Sequence, residues 1–188
     1  GVRVMADAGS ISAEPPPAIV VFAVKPQGLP EIVPAYTPFA GGDTVFLSIA
    51  AGRPSVFFES VLGFDAAVVR SMPNTPAAVG RGITAAYANG RVDQAQRTLC
   101  QGLLEAVGEV VWLDHESLMD AVTAVSGSGP AYVFLMIECL TQAGIAEGLP
   151  AEIAAKLARA TVAGSGELAR QSDEDAAQLR INVTSPGG

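Results

Sequence analysis

The chain has 188 residues, 49% of them hydrophobic, which is enough to bury one full domain and part of a second and excludes a disordered polymer. Eleven Lys plus Arg stand against nineteen Asp plus Glu, and a formal net charge of -8 would repel a phosphate backbone, so the composition speaks against a nucleic-acid partner. Mean hydropathy is +0.37, yet the most apolar stretch, AYVFLMI at 131–137, stops at Glu138, and a spanning helix needs ~20 apolar residues, so a soluble protein without a membrane anchor is expected.

AIVVFAV at 18–24 is a continuous apolar run meeting Pro26, the pattern of a buried parallel strand that ends in a loop. LPEIVPAY at 29–36 reads as a short helix or turn. TVFLSIA at 44–50 is a second strand closed by Gly52, PSVFFESVL at 54–62 a second helical stretch, and AAVVRSM at 66–72 a third strand ending at Pro73. GITAAYA at 82–88 is a fourth. In 92–108 the positions Val92, Ala95, Leu99, Leu103 and Ala106 recur at helical spacing and predict the buried face of a helix. EVVWL at 109–113 completes the sheet.

Strands alternating with helices predict an open, mostly parallel α/β sheet that binds its ligands at the carboxyl ends of the strands. From about 114 the strand signal is lost, and the chain turns into Ala-rich helix near 115–125, 129–147, 150–171 and 173–183. A domain boundary is expected between 113 and 114. Cys100 and Cys139 are the two cysteines, without a CxxC or Cys/His cluster, so neither a metal site nor a disulfide is predicted, and a reducing cytoplasm suits them. The start without Met and the end on Pro186, Gly187 and Gly188 read as a piece cut at both ends.

Several segments could carry chemistry. MPNTP at 72–76 holds Asn74 between two prolines at a strand end, where fixed backbone angles would suit a nicotinamide ring or simply make a rigid loop. In AVKPQ at 23–27, Lys25 could meet a phosphate or be a solvated charge. IAAG at 49–52 offers small side chains against which a flat cofactor could lie. SGSGPAY at 126–132 leaves N–H groups free before an apolar helix, or permits close helix packing. VTSPGG at 183–188 could bind a carboxylate through Ser185 and Gly amides, or merely stop a helix. His115, Glu116, Asp120 and the DED run at 173–175 read first as surface or helix-end charges, Arg180 as a surface or helix-end cation, and Trp112 as core.

Taken in order, AVKPQ, SIAAG, MPNTPAAVGRGITA, DAVTAVSGSGPAYVF, AGIAEGLP and LRINVTSPGG resemble pyrroline-5-carboxylate reductase along nearly the whole chain. The resemblance implies a partial Rossmann-type sheet domain at 1–113 that binds NADPH or NADH. It implies a helical substrate-binding and dimerisation domain at 114–188, and a homo-oligomer at least dimeric. It implies reduction of 1-pyrroline-5-carboxylate to L-proline. By the same resemblance, Ala23, Val24, Lys25, Pro26, Ile49, Ala50, Ala51 and Asn182 face the cofactor, and Asn74 in its rigid MPNTP loop is added as a cofactor-binding candidate. Glu116, Ser185, Gly187 and Gly188 face the substrate, with Ser185 as the candidate catalytic residue. The Gly-rich turn of the family and the Thr after its SPGG do not occur in these residues, so weak cofactor binding and an inactive isolated chain are expected.

Two alternatives rank below. In a β-hydroxyacid dehydrogenase a catalytic Lys follows the Gly-rich turn on a helix, whereas here Pro130, Ala131 and Tyr132 follow SGSG and Lys156 lies far on. A non-catalytic helical assembly module would use residues 114–188 only to dimerise.

Overall fold

A computed structural model of the chain describes residues 2, 4–12 and 14–185. They fall into two compact units, Gly1–Pro130 and Ala131–Gly188. In the first, the apolar runs become strands: Ile19–Phe22 (β1), Val45–Ser48 (β2), Ala67–Met72 (β3), Gly82–Ala88 (β4) and Gly108–Trp112 (β5). Between them lie the short helix Leu29–Ile32 (α1), which tightens into a 3-10 segment Val33–Phe39 containing Pro34 and Pro38, then Ser55–Leu62 (α2) and Gln94–Glu105 (α3).

The strands are ordered β1-β2-β3-β4-β5. The first three are parallel and in register, with Phe22 opposite Ser48 and Ser48 opposite Arg70. β4 is antiparallel to β3, and β5 is parallel to β4. The sheet is thus mostly parallel, as expected, with one reversal that has a local cause. Parallel strands need a crossover of roughly a dozen residues or more, usually a helix. Residues 73–81, between β3 and β4, hold only a 3-10 turn, Thr75–Val79.

Both faces of the central strands are covered, so these strands read as unbroken apolar runs rather than alternating ones. On one face Val20, Phe22, Phe46, Phe58 and Val68 form the core, with the Phe22 ring 6.1 Å from Phe46 and 5.7 Å from Phe58. On the other, Val45, Leu47, Ala67, Val69 and Ala86 pack against Cys100 and Leu104 of α3.

This corrects the predicted face of α3. Its buried positions are Gln96, Cys100 and Leu104, while Leu99 and Leu103 remain 40% and 46% exposed. Gln96 can be buried because its side chain is fully used: Oε1 accepts the Asp93 N–H at 3.0 Å and Nε2 donates to the Asp43 carbonyl at 3.2 Å. Trp112, read as core, is half-buried, with the Arg97 guanidinium 4.2 Å from its ring centroid and its indole N–H donated to Gln101.

After β5 the chain makes a 3-10 turn at Glu116–Leu118, a short helix Met119–Val122 (α4) and a π-helical turn Thr123–Gly127. The first unit therefore continues past the change in composition at 114, with Met119 buried in it. Gly127 packs against the end of Met72: a Cβ there would lie 2.4 Å from the Met72 Cε, so the methionine tip would have to move.

The second unit holds Gly129–Ala146 (α5) from Ala131 onward, Ala151–Gln171 (α6) and Ala176–Asn182 (α7). α5 and α6 approach through small residues. A Cβ on Gly144 would sit 3.2 Å from that of Ala154, and Ala154 and Ala158 are buried. Asp175 caps α7 by accepting the Gln178 N–H at 2.8 Å, which fits the helix-end reading of the DED run. By length and composition, the run Glu116–Ala146 is long and apolar enough to cross a membrane. It extends on both sides of AYVFLMI, which corrects the length argument drawn from that stretch alone.

Candidate functional site

Because β1, β2 and β3 are parallel and in register, the segments after them leave the sheet at one edge. AVKPQ follows Phe22, IAAG follows Ser48, and MPNTP begins on Met72. The fold thereby brings Ala23, Val24, Lys25 and Pro26 beside Ile49, Ala50 and Ala51, with Asn74 just beyond the end of β3. Ile49 extends the ladder by donating its N–H to the Phe22 carbonyl at 3.2 Å. Ser71 Oγ donates to the Ser48 carbonyl at 3.0 Å, and Arg53 Nε to the Pro26 carbonyl at 3.3 Å, so the loops are tied to one another.

Ala23, Val24, Lys25 and Ala51 are exposed at this edge. Ala50 is buried in the first core, and its N–H is given to Ser48 Oγ at 3.2 Å. Asn74 is half-buried and its amide acts as a brace. Oδ1 accepts the Ile83 N–H at 3.0 Å, and Nδ2 donates to Ser126 Oγ at 3.3 Å. One side chain thus fixes the start of β4 and the SGSG segment together.

The polar centre of the first unit is Glu116. Its Oε1 accepts the Ser55 N–H at 2.6 Å and Arg70 Nη1 at 2.5 Å, and its Oε2 accepts the Ser55 hydroxyl at 2.7 Å. The Arg70 and Glu116 side chains are only 12% and 25% exposed. Burial by itself would raise the Glu116 pKa. The Ser55 and Arg70 hydrogen bonds and the Arg70 charge outweigh it and hold the carboxyl below its ordinary value. Beside this cluster a cleft of about 410 Å³ is lined by Gly52, Pro54, Arg70, Glu116, Met119 and Asp120, among others.

The sequence reading placed Glu116 first among helix-end charges, and it does sit in the first turn of Glu116–Leu118. Its partners Ser55 and Arg70 were not anticipated. The available signal was Arg70 itself, a charge inside the otherwise apolar strand AAVVRSM. His115 is exposed and makes no cap hydrogen bond.

In the second unit Asn182 and Ser185 are exposed. Asn182 Nδ2 donates to Glu174 Oε2 at 2.9 Å, and its Oδ1 accepts Gln178 Nε2 at 2.7 Å. Gly187 and Gly188 lie outside the described residues. Among the described residues, no group of three or more His, Cys, Asp or Glu could hold a metal ion.

Residues 116–188 match the family described as pyrroline-5-carboxylate reductase dimerisation. Over 170 residues, 90% of this chain and 62% of the relative, the sequence is 45% identical to a pyrroline-5-carboxylate reductase of Pseudomonas aeruginosa. Over these residues the chain is similar to pyrroline-5-carboxylate reductases. A second reductase of that name, from Synechocystis, is 47% identical over 173 residues, with the same coverage of both chains.

Solved structures show the same likeness. A pyrroline-5-carboxylate reductase from Coxiella burnetii superposes with a TM-score of 0.87 at 37% identity, covering 92% of this chain and 64% of the other. The Plasmodium falciparum pyrroline carboxylate reductase with NADP bound gives a TM-score of 0.80 at 34% identity, covering 91% and 64%. The chain thus spans about three fifths of the length of the reductases it matches.

Proposed function

We propose that the protein to which this chain belongs reduces 1-pyrroline-5-carboxylate to L-proline with NADPH or NADH. The observation that carries this reading is the convergence of three parallel strand ends, with their AVKPQ, IAAG and MPNTP loops, at one edge of the sheet. Ligands of open α/β sheets sit beyond the carboxyl ends of the strands. The edge fits a flat cofactor: Ala23, Val24 and Ala51 are exposed, and a Cβ added to Gly52 meets nothing within 4 Å. The likeness to reductases of this name, one of them with NADP bound, supports the same reading.

On this reading Ala23, Val24, Lys25, Pro26, Ile49, Ala50, Ala51 and Asn74 hold the cofactor, and Asn182 adds a contact from the helical part. The nicotinamide supplies the hydride for the imine carbon. The protein aligns the ring of the substrate and keeps its carboxylate in place. Ser185 with the Gly187 and Gly188 amides anchors that carboxylate, Glu116 lies on the substrate side, and Ser185 or a water returns a proton to the ring nitrogen. We assign residues 1–113 to the dinucleotide-binding domain and 114–188 to the substrate-binding and dimerisation domain. We further infer a soluble, cytoplasmic homo-oligomer, with a second copy covering the apolar side chains of α5 and α6.

A chain extended to the length of its relatives tests the assignment. Loss of NAD(P)H absorbance that depends on added 1-pyrroline-5-carboxylate is expected. Oxidation of a 3-hydroxy acid instead would favour the dehydrogenase alternative, and a stable oligomer without either activity would favour a purely assembling module.

A further inference from the structure

Arg70 is an unusual occupant of its strand. Its chain neighbours Val69 and Ser71 are buried, and its own side chain is nearly so. A guanidinium taken out of water is unfavourable unless a partner and hydrogen bonds compensate it. The compensation here is the Glu116 carboxylate, which simultaneously takes both donors of Ser55. A single carboxylate therefore joins β3, the first residue of α2 and the segment that follows β5.

The consequence for the edge of the sheet is direct. The loop of residues 49–54, which carries Ile49, Ala50 and Ala51, is held at Arg53 through the Pro26 carbonyl and at its far end through Ser55. Pro54 occupies the N-cap position of α2 and provides no side-chain cap hydrogen bond, so Glu116 is what receives the first N–H of that helix. Among the described residues that line the cleft beside the cluster, Arg70 is the cation, and Glu116 and Asp120 are the carboxylates. His115, adjacent to Glu116 on its own segment, is exposed.

We propose that Arg70 is a positioning residue of the reductase, which locks the Glu116 carboxylate onto α2 and so fixes both the 49–54 loop and the wall of the neighbouring cleft. This rests on the reductase reading above. Arg70 touches neither substrate nor cofactor in this assignment; it acts through Glu116. Without it, the cleft retains two carboxylates and no cation. Burial of Glu116 is then opposed by the Ser55 hydrogen bonds alone, so its carboxyl titrates higher than with Arg70 in place and a function that needs the carboxylate fails at a higher pH than in the wild type.

The test uses the full-length enzyme in four forms: wild type, Arg70→Met, Arg70→Lys and Glu116→Gln, with kcat and KM followed across pH and thermal melting alongside. For Arg70→Met we expect kcat/KM for 1-pyrroline-5-carboxylate to fall roughly tenfold to a hundredfold. Its acid limb is expected to move to higher pH. Arg70→Lys keeps the charge and should restore most of that limb, a rescue that a merely structural role would not show. Added to Glu116→Gln, Arg70→Met should move the limb no further. Should Arg70→Met fold poorly, Ser55→Ala gives a milder loosening of the same carboxylate and should shift the limb in the same direction by less. An active wild type whose Arg70 and Ser55 variants lose melting temperature but keep the wild-type pH profile overturns the positioning role. A wild type without reductase activity overturns the reading on which it rests.

Discussion

Glu116 caps a helix that begins 61 positions earlier in the chain, its two carboxylate oxygens taking the Ser55 N–H at 2.6 Å and the Ser55 hydroxyl at 2.7 Å. Helix starts leave N–H groups without intrahelical partners, and a local Ser, Thr, Asp or Asn usually serves them. Here Pro54 stands in that place, so the acceptor comes from across the fold.

The cap makes stability depend on pH in a definite direction. Glu116 titrates below its ordinary value in the folded state, despite the opposing effect of burial, because Ser55 and Arg70 favour the charged form. Its contribution is therefore complete above the unfolded pKa of about 4.3 and is lost as pH falls through the lower folded value. Glu116→Gln should cost about 1–2 kcal/mol at neutral pH. Urea midpoints of wild type and variant should converge as the buffer is taken below the folded pKa; a gap that stays constant with pH would refute the assignment.

Asn89 should be among the least tolerant positions of the sheet unit. Its Oδ1 accepts the N–H of Val68, which is fully buried, at 3.1 Å and that of Arg91 at 3.2 Å. Its Nδ2 donates to the Ala66 carbonyl at 3.0 Å and to Glu59 at 2.9 Å. Asn89→Ala strands a buried N–H and a buried carbonyl together, with a penalty of roughly 2–4 kcal/mol at about 1–3 kcal/mol for each unsatisfied group. Asn89→Asp keeps the acceptor but sets a carboxylate oxygen against the Ala66 carbonyl and the Glu59 carboxylate, so its urea midpoint should fall at least as far as that of Asn89→Ala.

The elements were legible because their signals are local. AIVVFAV, TVFLSIA and AAVVRSM announce strands closed by Pro or Gly, and the strand bounds follow those runs to within two residues at either end. The face of α3 was misjudged because periodicity counts only apolar side chains, whereas Gln96 is buried by satisfying its polar groups within the protein. The same limit hid the Glu116 cluster: its members stand 46 and 61 positions apart and become neighbours only through sheet order. Motifs located the loop edge, and three-dimensional packing supplied the charge that braces it.

The two cysteines should differ sharply in reactivity. Cys100 is fully buried in the α3 side of the core, and burial pushes its thiol up to about 11, whereas Cys139 is exposed. A thiol reagent acts on the accessible thiolate. In a Cys139→Ser chain no labelling is expected until denaturant is added, when one equivalent should react. Prompt native labelling of that variant would show the core opening around α3.

The assembly prediction rests on α5, whose eighteen residues include none that is buried, with Leu135 58% exposed and Phe134 and Met136 similarly open. On α6, Ile153 and Leu157 are about half exposed. Fully burying a large apolar side chain contributes about 1.5–3 kcal/mol, so leaving this set in water forgoes far more than a marginally stable domain can spare. A second copy of the chain would cover it, in keeping with the dimerisation family matched by residues 116–188. The full-length protein should therefore run as a dimer or larger in light scattering, and Leu135→Glu should give monomer or aggregate with activity lost. Because the run Glu116–Ala146 is also apolar enough for a bilayer, ultracentrifugation of a lysate belongs in the same experiment. Wild-type protein in the supernatant as an oligomer supports coverage by a second copy. Protein that pellets with membranes and needs detergent, or an active monomer before any substitution, would overturn it.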